Sequence, residues 1–191
     1  IIYDAKHTDM NMFAGNDGVM RIFIEARNAF GTGTHQTTRM ILRRFQNMDM
    51  AGIDVLDCGC GTGILGIAAS KMGAKKVLGY DIDEWSSENA KHNAELNGVK
   101  NMNVLLGDAS VLSGVQDKFD LVVANINRNI LINDMTAFRS VMRGNGTKLI
   151  LSGFYITDVP ILQETAAANG LQLKDVVEDE EWACALFELS L

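Results

Sequence analysis

Hydrophobic and polar positions change rhythm along the chain at about residue 54. Before that point, residues 1–29 read as short strands. Val19-Met20-Arg21-Ile22-Phe23-Ile24-Glu25 leans towards β-structure, and Gly15-Asn16-Asp17-Gly18 ahead of it is turn chemistry. Residues 30–35 form a flexible loop rich in glycine and threonine. Residues 37–45 predict a helix, because Met40, Ile41, Arg44 and Phe45 fall at the spacing of one helical face. From Asp54 short apolar runs alternate with helical stretches. The spacing predicts strands at 54–57, 76–81, 102–106, 119–124 and 147–151. It predicts helices at 64–72, from the cap Asp83 to about 97, at 130–142 and at 160–169. Gly73 and Gly98 stand where two of these helices stop, and Pro160, the only proline, falls in a first turn where its missing N–H costs nothing.

Strands alternating with helices mean a parallel sheet covered on both faces, here an α/β, doubly wound, mostly parallel sheet. The end of the chain departs from that rule. Residues 171–177 and 182–189 are two strands with only Glu178-Asp179-Glu180-Glu181 between them, so they form an antiparallel hairpin at one edge. Gly144-Asn145-Gly146 supplies the turn ahead of the fifth of these strands. No internal repeat or low-complexity tract interrupts the pattern.

Composition narrows the partners. The 191 residues carry a net charge of −7, which argues against direct binding to nucleic acid, whose phosphates demand a basic face. No apolar run approaches the ~20 residues that span a bilayer, and no basic-then-apolar leader opens the chain. A non-membrane, cytoplasmic protein is expected. The first residue is Ile1, so the chain reads as a fragment or a trimmed piece. Cys58, Cys60 and Cys184 suit a reducing compartment. The Cys58-x-Cys60 pair is too tight for a zinc site and has no second pair, so no metal is expected.

The central motif is Asp57-Cys58-Gly59-Cys60-Gly61-Thr62-Gly63, between a predicted strand and a predicted helix. Glycines at the carboxyl end of such a strand let the backbone turn sharply and approach a ligand. An acidic residue some 20 positions on, here Asp81, suits ribose hydroxyls in a dinucleotide site and in a methyl-donor site alike. Asp57 separates the two readings. A carboxylate two positions before the first glycine would repel a pyrophosphate but favours S-adenosylmethionine, which bears a positive sulfonium and amine and no phosphate. The bland alternative is a glycine-rich turn with no ligand.

Phe30-Gly31-Thr32-Gly33-Thr34-His35-Gln36-Thr37-Thr38 resembles the signature loop of the ribosomal protein L11 methyltransferase family (PrmA). Asp57 to Gly63 with Ile64-Leu65, Gly79-Tyr80-Asp81-Ile82-Asp83, Val123-Ala124-Asn125-Ile126 and Glu180-Glu181-Trp182 resemble further segments of that family, in the same order. The resemblance covers the chain from about Phe30 to its end. It implies a Rossmann-like, S-adenosylmethionine-dependent N-methyltransferase of bacterial type. Its acceptors would be amino groups, lysine side chains and an N-terminal amine, of a ribosomal stalk protein. It divides the chain into a β-rich extension, 1–29, and a catalytic domain, 30–191. By position it implies donor contacts from Phe30, Thr32 and Thr38, from Asp57, Gly59 and Gly61, and from Asp81 and Ile82. Asp108, Ala109 and Asn125 complete the set, Asp108 and Ala109 beside the adenine and Asn125 also at the reacting methyl as the catalytic residue. The family's separate N-terminal recognition domain has no counterpart in the 29 residues before the loop.

Other residues carry two readings each. His35 is a substrate-side base or a hydrogen-bonding loop residue. His7 and His92 read as surface. Asn127 and Arg128 line the acceptor side or sit in a solvated loop. Trp85 covers the ribose or packs. The acidic run 178–181 attracts a basic protein or is a solvated turn, and ten scattered methionines read as core filler. Asn125-Ile126-Asn127-Arg128 lacks the Asn-Pro-Pro-aromatic run of enzymes that methylate adenine or glutamine, which argues against base methylation. A different amine acceptor and a non-catalytic donor-binding module stay open, as does the oligomeric state.

Overall fold

The computed structural model describes residues 1–13, 18–27 and 29–190; the turn expected at Gly15-Asn16-Asp17 lies outside the described residues. In chain order the elements are β1 (Ile2–Asp4), β2 (Ile22–Ile24), α1 (Gln36–Gln46), β3 (Asp54–Cys58), α2 (Ile64–Lys71), β4 (Lys76–Asp81), α3 (Glu84–Leu96) and β5 (Met102–Leu106). They continue with β6 (Leu121–Asn125), α4 (Arg128–Ser140), β7 (Lys148–Tyr155), α5 (Val159–Ala168), β8 (Leu171–Asp179) and β9 (Trp182–Leu189). Short 3-10 turns follow β5 and β7 and precede β2. The expected doubly wound sheet is present. Seven strands lie in the order β5-β4-β3-β6-β7-β9-β8, parallel except where β9 runs antiparallel between β7 and β8. Among the described residues no helix is long and apolar enough to cross a membrane.

The central strands are apolar on both faces because helices cover both faces. Along β3 and β6, Val55, Leu121 and Val123 face the layer of α1 and α2, while Leu56, Val122 and Ala124 face that of α4 and α5. This two-sided burial fixes the register, since a one-residue slip would exchange the two faces. Helix ends follow the sequence. Asp83 accepts from Ser86 N at 2.7 Å to cap α3, Gly73 and Gly98 leave α2 and α3 at positive φ, and Pro160 sits in the first turn of α5. Strands β7 and β8 run four and two residues beyond the expected ends. The hairpin turn is therefore only Glu180 and Glu181, both at positive φ.

The extension docks by an unusual device. β1 and β2 pair in parallel, and buried Ile22 and Ile24 join the core of α1 and α2. The other edge of the β2 segment pairs with a helix instead of a strand. Asn97 accepts from Phe23 N at 2.9 Å and donates to Phe23 O at 2.7 Å. Asn93 accepts from Glu25 N at 3.0 Å, and Asn89 accepts from Arg27 N at 3.3 Å and donates to Glu25 O at 2.8 Å. Four helical residues rise ~6.0 Å and two strand residues ~6.6 Å, so asparagines every fourth residue keep step with alternate strand residues. His92, expected at the surface, is drawn into the same contact and bonds Glu25 Oε2 at 3.0 Å. The Arg27 guanidinium, with His92, holds the Glu25 carboxyl down at about 2.

At the other end, α1 clasps the hairpin. Arg44, 11% exposed, donates to Cys184 O at 2.9 Å and to Cys184 Sγ at 3.3 Å, and pairs with Asp175 at 2.8 Å. Arg39 pairs with Asp179 at 3.2 Å and Gln36 donates to Glu180, so the acidic run is not a free solvated turn. Arg44→Ala is expected to lower unfolding free energy by ~2–3 kcal/mol, the scale of hydrogen bonds from a charged group to buried partners, as read by urea denaturation.

Candidate active site

The sheet order reverses between β3 and β6, and ligands of open α/β sheets bind in the crevice at the carboxyl ends of such a pair. A cavity of about 520 Å³ lies there, within the range of small-molecule sites. Its walls hold Phe30, Thr38, Asp57, Gly59, Gly61, Asp81, Ile82, Asp108, Ala109 and Asn125, ten of the eleven residues singled out in the sequence. Thr32 is the exception. Gly31 and Gly33 flank it at φ 111° and 90°, and the loop turns it away. Thr32 instead bonds Thr34 through the hydroxyls at 2.9 Å and lines a second cavity of about 630 Å³ against the extension.

The glycine loop is shaped chiefly by protein contacts. Thr62 N donates to Phe30 O at 2.9 Å and Thr62 Oγ1 to Gly31 O at 2.6 Å. Gly61 stands at φ 53°, and a Cβ there would overlap the carbonyl oxygen of Phe30. A Cβ on Gly59 would stand 2.6 Å from Ile126 Cγ2. These glycines admit the 30–35 loop and the loop after β6, a reason beyond the ligand approach that the sequence suggests.

Asp81 ends β4 with its carboxylate held on both sides. One oxygen accepts from Gly61 N at 2.9 Å and the other from Asp83 N at 3.0 Å. A carboxylate offers about four lone-pair sites, so acceptor capacity remains on a group already aimed into the cavity. Asp57 lies deeper, 1% exposed, and accepts from Gly66 N at 3.0 Å. Gly63, at the start of α2, has no capping side chain, and Asp57 takes up one N–H of that first turn from across the strand. Burial pushes Asp57 up to about 7, the Gly66 bond opposing and Asp81 adding to the rise. Burial likewise pushes the Cys58 and Cys60 thiols well up, which makes them inert wall and core residues. Asp108 bonds Ser110, which lowers its pKa.

Asn125 stands at the end of β6. Its amide nitrogen lies 3.4 Å from Thr38 Oγ1, while its amide oxygen is buried with no partner among the described residues. Such an acceptor is costly to bury unless something fills it. Asn127 caps α4 by accepting from Ile130 N at 3.2 Å and also lines the cavity, whereas Arg128 turns out to pair with Asp158 at 2.8 Å. His35 caps α1 through Thr37 N and its ring meets Trp182 at 5.0 Å; neither His35 nor Trp85, which is 74% exposed, lines the cavity.

The sequence reading passed over Tyr80, Ser86, Ile130, Asn133 and Asp134, all in the cavity wall. The last three share one face of α4, three and four residues apart, but a mostly polar face at that spacing reads equally as ordinary helix surface. Asp134 completes the electrostatic character. Among the described residues the wall holds four acidic side chains, Asp57, Asp81, Asp108 and Asp134, and no Lys, Arg or His. It favours a cationic ligand and disfavours a diphosphate.

The chain matches the family described as Ribosomal protein L11 methyltransferase (PrmA) over residues 4–189. A curated relative of that name from Porphyromonas gingivalis is 48% identical over 88% of this chain and 57% of its own length. One from Bacteroides fragilis is 45% identical over 88% of this chain and 59% of its own. The crystal structure of a ribosomal protein L11 methylase from Lactobacillus delbrueckii subsp. bulgaricus superposes with a TM-score of 0.81 at 32% identity, covering 90% of this chain and 86% of that one. The chain thus spans little more than half the length of the curated relatives it matches.

A carboxyl whose folded-state pKa lies above its unfolded value keeps its proton longer when folded. Its contribution to stability therefore falls as pH rises from about 4 to about 7. Asp57→Asn, which cannot ionise, should melt higher than the unsubstituted chain at pH 8, and the gain should shrink as pH falls towards 4. Melting curves across that range read it; a constant difference would remove buried ionisation as the cause.

Proposed function

The chain belongs to the ribosomal protein L11 methyltransferase family, and from that membership we propose that it transfers methyl groups from S-adenosylmethionine to amino groups of ribosomal protein L11. The observation that carries the reading is the acidic wall without a basic side chain at the sheet's reversal point. The residues fit the donor. Asp81 would hold its ribose hydroxyls, Asp108, Ala109 and Ile82 its adenine, and Asp57 would lie towards its positive end. Residues 30–191 would then be the catalytic domain and 1–29 an extension of it. The reading sets the reaction in the cytoplasm, where a ribosomal acceptor is found.

S-adenosylmethionine supplies a methyl already activated on a positive sulfonium. The protein's part is to bind, orient and exclude water. Thr38 and Asn125 stand side by side at the end of β6, and the amide oxygen of Asn125, which has no partner among the described residues, would accept an N–H of the incoming amine. That bond would orient the nitrogen lone pair towards the donor side of the cavity. Positioning of this kind supplies ~7–11 kcal/mol of a barrier, so no strong base is required once the amine is neutral.

Radiolabelled S-adenosylmethionine mixed with the chain and ribosomal protein L11 should label the ribosomal protein. Label on another amine in a parallel screen would move the acceptor, and donor binding with no transfer to any amine would reject catalysis. Asn125→Ala should depress turnover at least tenfold while changing donor affinity less than threefold, as read by steady-state kinetics and calorimetry. Asp81→Asn should do the reverse and weaken donor binding by ~1.5–3 kcal/mol, the scale of hydrogen bonds to a charged group.

A further inference from the structure

Of the three asparagines that dock the extension, the middle one does more than its neighbours. Asn93 is fully buried. Its amide oxygen accepts from Glu25 N at 3.0 Å, and its amide nitrogen donates to Glu25 O at 3.2 Å and to Thr62 O at 2.9 Å. Thr62 is the residue whose N–H and hydroxyl hold the carbonyls of Phe30 and Gly31. One unbroken hydrogen-bonded path therefore runs from the extension, through Asn93, into the glycine loop and on to the 30–35 loop. Asn89 and Asn97 bond the extension and make no bond to either loop. A second contact closes the circuit. Gly33 packs so closely on β1 that a Cβ there would stand 2.8 Å from Ile2 Cδ1. Glu25 and Phe23 themselves do not line the cavity.

We infer that Asn93 is a positioning residue for donor binding: its carboxamide ties Glu25 to the donor loop, so that donor affinity depends on that one link. The inference rests on the donor reading above. The physical ground is that Thr62 O and both polar groups of Glu25 converge on one buried side chain that cannot move to satisfy them separately. An unpaired buried carbonyl is costly, so losing either partner shifts the others. Because coupling is reciprocal, donor binding must also tighten the hold on Glu25.

Reciprocity allows a test without substitution. Hydrogen exchange of the unsubstituted chain is followed with and without S-adenosylhomocysteine, and the amide of Glu25, which Asn93 holds, should slow at least fivefold on binding. Unchanged exchange there, with slowing confined to the cavity wall, overturns the inference. Asn93→Ala and Asn93→Asp, the second unable to donate to Thr62 O, should each raise the donor Kd at least fivefold in calorimetry, with kcat at saturating donor within twofold. Asn97→Ala, which loosens the same extension one turn away, should lower Tm comparably yet leave Kd within twofold. Equal Kd changes in the Asn93 and Asn97 variants, or none in either Asn93 variant, would assign Asn93 a purely structural role. If the unsubstituted chain bound no donor, the functional reading would fail. The coupling would still be read from the Thr62 amide, which Asn93→Ala should expose to exchange at least fivefold faster.

Discussion

Two loops distant in sequence compete for one small volume, and the cavity exists because glycine lets both have it. The carbonyl of Phe30 occupies the space that any side chain at residue 61 would fill, and the side chain of Thr62 fastens the same stretch from the other side. Everything that defines the crevice rests on this fit. The 30–35 loop forms one wall because it is pinned there, and Asp81 points inward because Gly61 N, freed by the tight turn, holds one of its oxygens. The glycines of this motif are usually thought of as making room for a ligand. Here they first make room for protein, and the ligand space is what remains.

That distinction explains what could be read in the sequence. The alternation from Asp54 onward made the parallel sheet and its order of elements legible, because strands covered on both faces must be apolar throughout. The hairpin was legible from its short link. Boundaries were less so: β7 runs on to Tyr155 because β9 pairs with it across a bulge, a tertiary cause invisible in local pattern. Of the cavity wall, the residues next to glycine or at strand ends stood out, since strand ends must abut the crevice. The α4 residues did not, since Asn133 and Asp134 differ from ordinary helix surface only by where the helix lies. Thr32 lies outside that wall, since the sequence shows that a loop turns but not which way its side chains face. The asparagine ladder at 89, 93 and 97 was present in the sequence as a spacing. It carried no signal because nothing in a single chain says that a helix will stand in for a strand.

The acidic wall also carries a stability cost that the fold accepts. A carboxyl pushed up to about 7 by burial is poorly placed for folding at neutral pH, and among the described residues the hydrogen bond it accepts is from a backbone N–H of α2. Under the proposed function, a cationic ligand relieves that cost on arrival. The same side chain then serves as helix cap in the free protein and counter-charge in the bound one. The unpartnered oxygen of Asn125 is the second such debt, and both face the same space.

The place of β9 has a consequence for how the chain is made. The last strand in the sequence is inserted between β7 and β8, and its Ala183 carbonyl receives the hydroxyl of Ser152, the neighbour of Asn125 across the sheet. A nascent chain emerging from its amino end holds two strand edges open until residues 182–189 arrive. During synthesis the sheet is thus closed only when this strand arrives, after every residue that lines the crevice has been made.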